Sequence, residues 1–403
     1  MIKKDWDVIV AGGGIAGLTI TALFSKLGLK VLCIEPIKPA CKAGTKGSDL
    51  RSTAYLLNSI KLFEDIGVWN DLQKHSEKLR IMRICTSEDS HTDQFLESRF
   101  DSNDLNLPYF GYNIPNWFTK EILLSLIDTF QDSKVIFGSK AAHLMSYLDR
   151  ACIKLTNNCV VSSKLIIGAD GRGSNIRTLS NIKIKKWDDA QDAIACIAKH
   201  EKPHEEASIE ILQSGGPCTL VPLKNTINGE FQSAVVRMEE RGHAKKLMLL
   251  NDHDFSTELS QRTKHILGNC KLNSRRTIYP IITQVADEFF GNRMALIAEA
   301  AHVMPPIGAQ GLNTSFDDIS LLVKLVKTAL EKKNDIGTPE LLREYGTIRR
   351  RLTLSKIFGV TLLNNVSKSN LAFTQSLRKV GLAMIDKNLL LKKTLMKTGL
   401  GRG

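Results

Sequence analysis

Gly12-Gly13-Gly14-Ile15-Ala16-Gly17 follows the apolar run Asp7-Val8-Ile9-Val10 and opens a helical pattern, and the next apolar run ends in Glu35. That spacing suits a dinucleotide. Gly12 permits a tight turn, Gly14 lets the backbone approach a pyrophosphate, and Gly17 lets the helix pack on the strand. The phosphates then rest on the first amides of the helix, at Ile15, Ala16 and Gly17, where the macrodipole favours an anion. Glu35 is placed to accept from a ribose diol. An acid there, rather than a base, fits an unphosphorylated ribose, as in NAD or FAD.

Two further apolar runs stop at carboxylates. Leu165-Ile166-Ile167 leads through Gly168-Ala169 to Asp170, and Met294-Ala295-Leu296-Ile297-Ala298 leads to Glu299. Several strand-ending acids imply acceptors for hydroxyls along an extended ligand. FAD, with a ribitol between pyrophosphate and flavin, offers those hydroxyls; NAD does not. Arg51 follows a loop rich in Pro, Gly and Lys (36–50) and is placed to neutralise the pyrophosphate or to line the flavin. Pro305-Pro306-Ile307-Gly308-Ala309-Gln310-Gly311 is rigid and nearly bare of side chains. Such a bend is too rigid and too bare to be filler, and the question it raises is what it is shaped around. His302 reads as a structural histidine after the strand turn.

The elements that must hold these residues follow from periodicity. Residues 7–35 predict strand, glycine turn, helix (Ile15 to Leu27) and strand (Lys30 to Ile34). Ser52 to Gly67 and Trp117 to Phe130 carry helical spacing, and residues 80–110 read as exposed strands and loop. Val135 to Ile167 alternates like a set of hairpins. Residues 183–285 hold β-type runs at Ile194–Ala198, Ser208–Leu212, Cys218–Leu223 and Phe231–Val236, which predict a mostly antiparallel sheet, with a helical stretch at 243–268. Strand 294–298 and helix 313–332 form another strand–turn–helix unit. The fold class is therefore α/β: a Rossmann-like FAD-binding domain (1–75, 111–182 and 286–365), an interleaved β-sheet substrate domain (76–110 and 183–285) and C-terminal basic amphipathic helices (366–403).

The 403 residues, 43% hydrophobic and 24% charged, suffice for a sizeable core. The eight cysteines form no C-x-x-C pair, so they read as free thiols of a reducing compartment. His200 and His204 lack a third ligand, and no metal site is expected. The N-terminus enters a strand almost at once, which leaves no room for a signal peptide, and no run approaches a membrane span. A cytoplasmic chain is expected. The net charge of +13 gathers in the tail, where residues 341–403 hold thirteen Lys and Arg against Glu344 and Asp386. Nucleic acid is not the expected partner, because no stacking aromatics are interleaved with these charges. Leu377, Val380, Met384, Leu391 and Leu395 share one helical face, with Lys379, Lys393 and Lys397 opposite. Two readings stay open for that face: the inner surface of an anionic membrane, or the protein's own body.

With these residues in hand, the sequence resembles the class A flavoprotein monooxygenases, and more narrowly the aromatic-ring hydroxylases of ubiquinone biosynthesis. The resemblance covers nearly the whole chain: Gly12–Gly17 with Glu35, Asp49-Leu50-Arg51, Gly111-Tyr112 with Asn116, Gly168-Ala169-Asp170-Gly171 with Ser174 and Arg177, Gly216-Pro217, Val221-Pro222-Leu223, Tyr279-Pro280, and Ala300-Ala301-His302 through Asn313. Its most specific segment is Pro305 to Asn313. The resemblance implies that Gly12, Gly14, Gly17 and Glu35 hold the ADP half of FAD. It puts Arg51 at the pyrophosphate or ribitol, Asp170 in a motif tied to FAD and pyridine nucleotide, and Glu299 at the ribitol. It also wraps Pro306, Gly308, Gln310, Gly311, Leu312 and Asn313 around the flavin ring, where small residues admit backbone N–H groups to the edge at which negative charge develops. It further implies NADH or NADPH and O2 as co-substrates, a flavin hydroperoxide, and a polyprenylated phenol as substrate, with other quinone-biosynthesis proteins as possible partners. No side-chain base for the phenol is evident. Three departures stand out: Ala298-Glu299 where Gly-Asp is usual, Asp189 for a usual Tyr, and Arg237 for a frequent Trp. The added methyl and methylene at 298–299 crowd a place where backbone and ribitol come close. Two other activities fit the same fold: an FAD-dependent isoprenoid reductase or epoxidase, and a non-catalytic flavoprotein subunit.

Overall fold

A strand that is apolar on both faces needs cover on both, and Asp5–Ala11 finds it in the middle of a sheet whose central pairs are parallel. In this computed structural model, which describes residues 5–41, 47–87, 95–368, 381, 384–385 and 388–400, the strand order is Phe290–Gly291, Met294–Leu296, Val160–Gly168, Asp5–Ala11, Val31–Glu35 and Ser133–Phe137. Val8, Ile9, Val10, Ile166 and Ile167 are wholly buried there. Helix Ile15–Lys26 packs between this sheet and the helices Asn116–Ile127 and Gln310–Glu331.

A second sheet, of nine strands among the described residues, is antiparallel except where Ala207–Leu212 runs parallel to Ile81–Ser87. Its order from one edge is His302–Val303, Thr277–Ala286, Ile184–His200, Gln232–Glu240, Cys218–Leu223, Ala207–Leu212, Ile81–Ser87 and Phe95–Asp101, with Cys270–Leu272 paired to Ile184–His200. One face packs Ile194, Ile209, Ile211 and Val235 under the helices Arg241–Leu249 and Asp252–Arg262, as a separate small core. The opposite face sends Ala193, Met238 and Ile281 into the main core. Arg237 is buried on the helix-covered side and paired with Glu239 and Glu258, each at 2.8 Å. The α/β class and the antiparallel sheet match the expectation from sequence.

Four local expectations change. Ser52 to Leu56 is a strand rather than helix, because it pairs antiparallel with Gly111–Pro115; the helix starts only at Leu57. Ser133–Phe137 leaves the expected hairpin set to pair in parallel with Val31–Glu35, so only Ala141–Ser146, Ala151–Leu155 and Val160–Gly168 run antiparallel to one another. The strand before Glu299 stops at Leu296, and Ala298–Ala300 is a turn of 3₁₀ helix. The following helix begins at Gln310, ahead of the expected 313.

In the tail, Leu377, Lys379 and Val380 lie outside the described residues. Helix Leu389–Gly399 starts afresh at Asn388, whose side chain accepts from the Leu391 amide at 3.0 Å, so Met384 precedes it instead of sharing its face. No helix among the described residues is long and apolar enough to cross a membrane.

Candidate active site

Ala11 is in register with Ile34 and Gly168, and Gly168 with Leu296. Four neighbouring parallel strands therefore end along one edge, and the turns that follow them lie side by side. Open α/β sheets bind ligands at this edge.

In the first turn, Gly12 has φ +110°, and a Cβ there would lie 2.2 Å from the Ala169 carbonyl oxygen. A Cβ on Gly17 would lie 1.9 Å from the Gly12 oxygen. These two glycines close the turn on the protein itself. Gly14 differs: it is the N-cap of Ile15–Lys26, no side chain caps that helix, and a Cβ on it would meet no protein atom within 4 Å. Such a Cβ would instead stand in the cradle before the Ile15 and Ala16 amides, so this end fits a pyrophosphate. Glu35 is anchored at its rim, accepting from the Gly13 amide at 2.6 Å and the Ile37 amide at 3.1 Å. A carboxylate keeps further acceptor positions beyond these two.

Arg51 is held as a fork on Asp49, with Nε–Oδ1 at 2.8 Å and Nη2–Oδ2 at 2.9 Å, and its guanidinium lies 6.0 Å from the Tyr279 ring centre. The Asn116 amide joins Asp49 at 3.1 Å. Burial pushes the Asp49 carboxyl up, but Arg51, Lys120 and Asn116 outweigh it and hold it at about 2. Arg51 thus stays charged and aimed.

Asp170 turns inward along its own chain. It accepts from the Ser174 hydroxyl, from the Asn175 amide at 2.7 Å and from the Ile176 amide at 3.1 Å, which fastens the short helix Asn175–Leu179. Arg177 of that helix is buried and donates to the Ala300 carbonyl at 2.7 Å and the Arg172 carbonyl at 2.9 Å. Arg172 in turn faces Glu299 at 3.4 Å. Glu299 is not the end of a buried strand: it sits exposed in the 3₁₀ turn, after Ala298 at φ +55°.

The last turn runs from Pro305 to Ala309. Gly308 (φ +60°) and Ala309 (φ +56°) both take the left-handed conformation, and Ala309 caps Gln310–Glu331 without a side-chain bond. A Cβ on Gly308 or Gly311 would meet nothing within 4 Å, so both present bare backbone, which fits a flat ring. Pro306 is half-buried and Leu312 packs on the main core. Asn313 spends its carboxamide on the protein: Oδ1 accepts from the Leu56 amide at 3.0 Å and the Ser59 hydroxyl at 2.7 Å, and Nδ2 donates to Ala54 at 2.8 Å and Ala309 at 2.6 Å. The Gln310 side chain reaches Gly308 and the Gly399 carbonyl, each at 3.1 Å.

Two features escape the sequence reading. Asp318, wholly buried, binds the His302 ring at 2.7 Å, the Arg349 guanidinium at 2.7 Å and the Ala298 amide at 3.0 Å. In sequence, Asp318 and Arg349 look like members of ordinary charged runs on helix surfaces. Glu210 is buried in Ala207–Leu212 and faces the Gly308 turn; its signal was a lone acid between isoleucines.

Among known proteins, the chain is 26% identical to the ubiquinone hydroxylase UbiL of Rhodospirillum rubrum, over 99% of this chain and 90% of that relative. It is 22% identical to the 3-demethoxyubiquinol 3-hydroxylase of Escherichia coli, with 100% of both covered. The solved p-nitrophenol 4-monooxygenase PnpA from Pseudomonas putida shares the fold, with a TM-score of 0.81 at 16% identity over 100% of this chain and 99% of that one. A family profile described as an FAD binding domain matches residues 5–355, and so takes in all four strand ends, both bare turns and the Asp318 cluster: the chain belongs to that family.

Proposed function

We propose that this protein is an FAD-dependent monooxygenase that hydroxylates the aromatic ring of a polyprenylated phenol in ubiquinone biosynthesis, with NADH or NADPH and O2 as co-substrates. One observation carries the reading: a glycine cradle and a bare Gly308 turn stand in one chain that matches UbiL over 90%, and the 3-demethoxyubiquinol 3-hydroxylase over 100%, of those relatives' length. Bound FAD supplies the electron transfer and O2 activation that no side chain here supplies.

The chain's own residues bind, orient and exclude water. The Ile15 and Ala16 amides take the pyrophosphate, Glu35 a ribose hydroxyl, and Arg51, fixed on Asp49, the negative charge beyond. Glu299, released from Arg172, accepts from the ribitol. Pro306, Gly308 and Gly311 give the ring a close-fitting, dry backbone wall, and the amides opening Gln310–Glu331 face its electron-rich edge. Residues 76–110 and 183–285 carry the substrate side.

The purified protein is expected to be yellow and to consume NAD(P)H and O2 in step with hydroxylated phenol. Colourless protein in which added FAD restores no NAD(P)H oxidation sinks the enzymatic reading and leaves a non-catalytic subunit. Deleting the gene and identifying the quinone precursor that accumulates names the ring position.

The tail helix meets the membrane in this proposal. Leu389, Leu390, Leu391 and Leu395 are exposed on a helix bearing Lys393 and Lys397, a pairing of apolar and basic surface suited to anionic lipid. Salt-sensitive binding to anionic liposomes should disappear when residues 376–403 are removed; unchanged binding would reject this role.

A further inference from the structure

Strand Ala207–Leu212 alternates strictly. Ile209 and Ile211 point into the small core under the helices Arg241–Leu249 and Asp252–Arg262. Glu210, between them, must project to the opposite face, the one turned to the main core and the Pro305–Ala309 turn. It is only 5% exposed. Its neighbours in register are Ile84 on one side and Thr219 on the other, and the row continues from Thr219 to Val236 and Ala195. None of these carries a titratable group. No charged side chain among the described residues acts on Glu210; only burial and the Gly308 amide do. Every other acid described at the site has an ion pair or several donors. A buried carboxyl with one amide for company is costly, and its presence calls for a task.

We propose that Glu210 is the proton acceptor for the substrate's phenolic hydroxyl. This assignment rests on the phenol-hydroxylase reading above. The phenolic O–H bond breaks, both its electrons stay on the oxygen, and the proton bonds to a Glu210 carboxylate oxygen; nothing is oxidised or reduced. The phenolate pushes electron density into the ring at the positions to be hydroxylated. Once the ring carries its new oxygen, the C–H bond at that carbon breaks, its electrons restore the aromatic phenolate and its proton goes to the oxygen left on the donor. Glu210 then returns the phenolic proton to the phenolate, so the carboxylate is regenerated. The Gly308 turn is where the flavin ring is proposed to lie, which brings acceptor and ring chemistry to one place. Burial pushes the Glu210 carboxyl up to about 7, tempered by the Gly308 amide, and an acceptor poised near neutrality transfers protons well.

The test compares the FAD-loaded wild type with Glu210→Gln, using a short-chain prenylphenol and the same phenol acidified by ring fluorination. Wild-type kcat/KM should rise through pH about 7, and E210Q should lose that limb and roughly a hundredfold or more in rate. The wild-type-to-variant ratio should shrink with the fluorinated phenol, which needs less help to ionise; a structural role would leave that ratio unmoved. Independently of turnover, infrared difference spectra between pH about 5 and about 9 should show a protonated-carboxyl band in the wild type that E210Q lacks. Should E210Q not fold, Glu210→Asp takes its place, keeping the limb at a lower kcat. A wild type that hydroxylates while E210Q keeps the pH limb, or keeps the same ratio for both phenols, overturns the Glu210 assignment alone. A wild type that hydroxylates no phenol overturns the functional reading, and this assignment with it.

Discussion

Asp318 holds the Ala298 amide at 3.0 Å, and with it the left-handed residue that turns the chain from strand Met294–Leu296 toward Glu299. The same carboxylate receives His302 and Arg349, so the helix Gln310–Glu331 is tied to the turn that precedes it in sequence. One ion cluster thus fixes both the Ala298 turn and the helix that follows the Pro305–Ala309 turn.

Removing the charge at Asp318 should therefore be severe. Asp318→Asn takes from buried Arg349 its anion at 2.7 Å and leaves only Asp317 at 4.0 Å, at a cost of about 3–5 kcal/mol, read by urea unfolding at neutral pH. Burial pushes the Asp318 carboxyl up, but His302 and Arg349 outweigh it and hold it below its ordinary 3.8. A depressed carboxyl binds its proton more weakly folded than unfolded. Its stabilisation is therefore complete above the unfolded value and lost as the pH falls below it. The gap between wild type and variant should narrow under acid, below pH 3.8; an unchanged gap would contradict the assignment.

Ala298 carries a Cβ in a conformation that suits glycine, with φ +55°. Ala298→Gly trades about 1–2 kcal/mol of left-handed strain against about 0.5–1 kcal/mol of lost chain entropy. A net gain of about 0.5–1 kcal/mol in unfolding free energy is expected, together with tighter FAD retention through gel filtration.

The glycines of the first turn should separate by role. Gly12→Ala collides with the Ala169 carbonyl at 2.2 Å and should not give stable protein. Gly14→Ala meets no protein atom within 4 Å, so its apoprotein should melt like the wild type. FAD binding to Gly14→Ala, titrated by flavin fluorescence, should nevertheless weaken at least tenfold, about 1.4 kcal/mol.

Asn313 is a positioning residue. Asn313→Ala strands the Leu56 amide and the carbonyls of Ala54 and Ala309. A loss of about 2–4 kcal/mol should follow from those unpaired groups, seen as a lowered unfolding midpoint. Asn313→Asp keeps the two accepted bonds, to Leu56 and Ser59, and should lie between the two.

The parallel sheet was legible because strand and glycine turn announce themselves locally: Val8 to Val10 is continuous apolar sequence, and Gly12 and Gly17 can be nothing larger. Ser52–Leu56 was not legible, since its strand state is imposed by Gly111–Pro115, a partner distant in the chain. At the site, residue types were readable and directions were not. Asp170, Glu299 and Asn313 stand at the expected turns, yet Asp170 and Asn313 spend their polar atoms on the protein, and Glu299 faces Arg172. Glu210 became meaningful only once strand alternation showed which sheet face it shares with the Gly308 turn.

The common ending of four strands, set by the register of Ala11 with Ile34 and Gly168 and of Gly168 with Leu296, bears on how this chain can change length. A single-residue insertion inside any of them would exchange the side chains that its two covered faces present and displace its turn by about 3.3 Å from the others. The hairpin tip between Cys218–Leu223 and Gln232–Glu240, exposed at Ile227 in the other sheet, carries no such coupling. Insertions and deletions among natural variants of this protein should therefore gather at that tip and leave the four strands at fixed length.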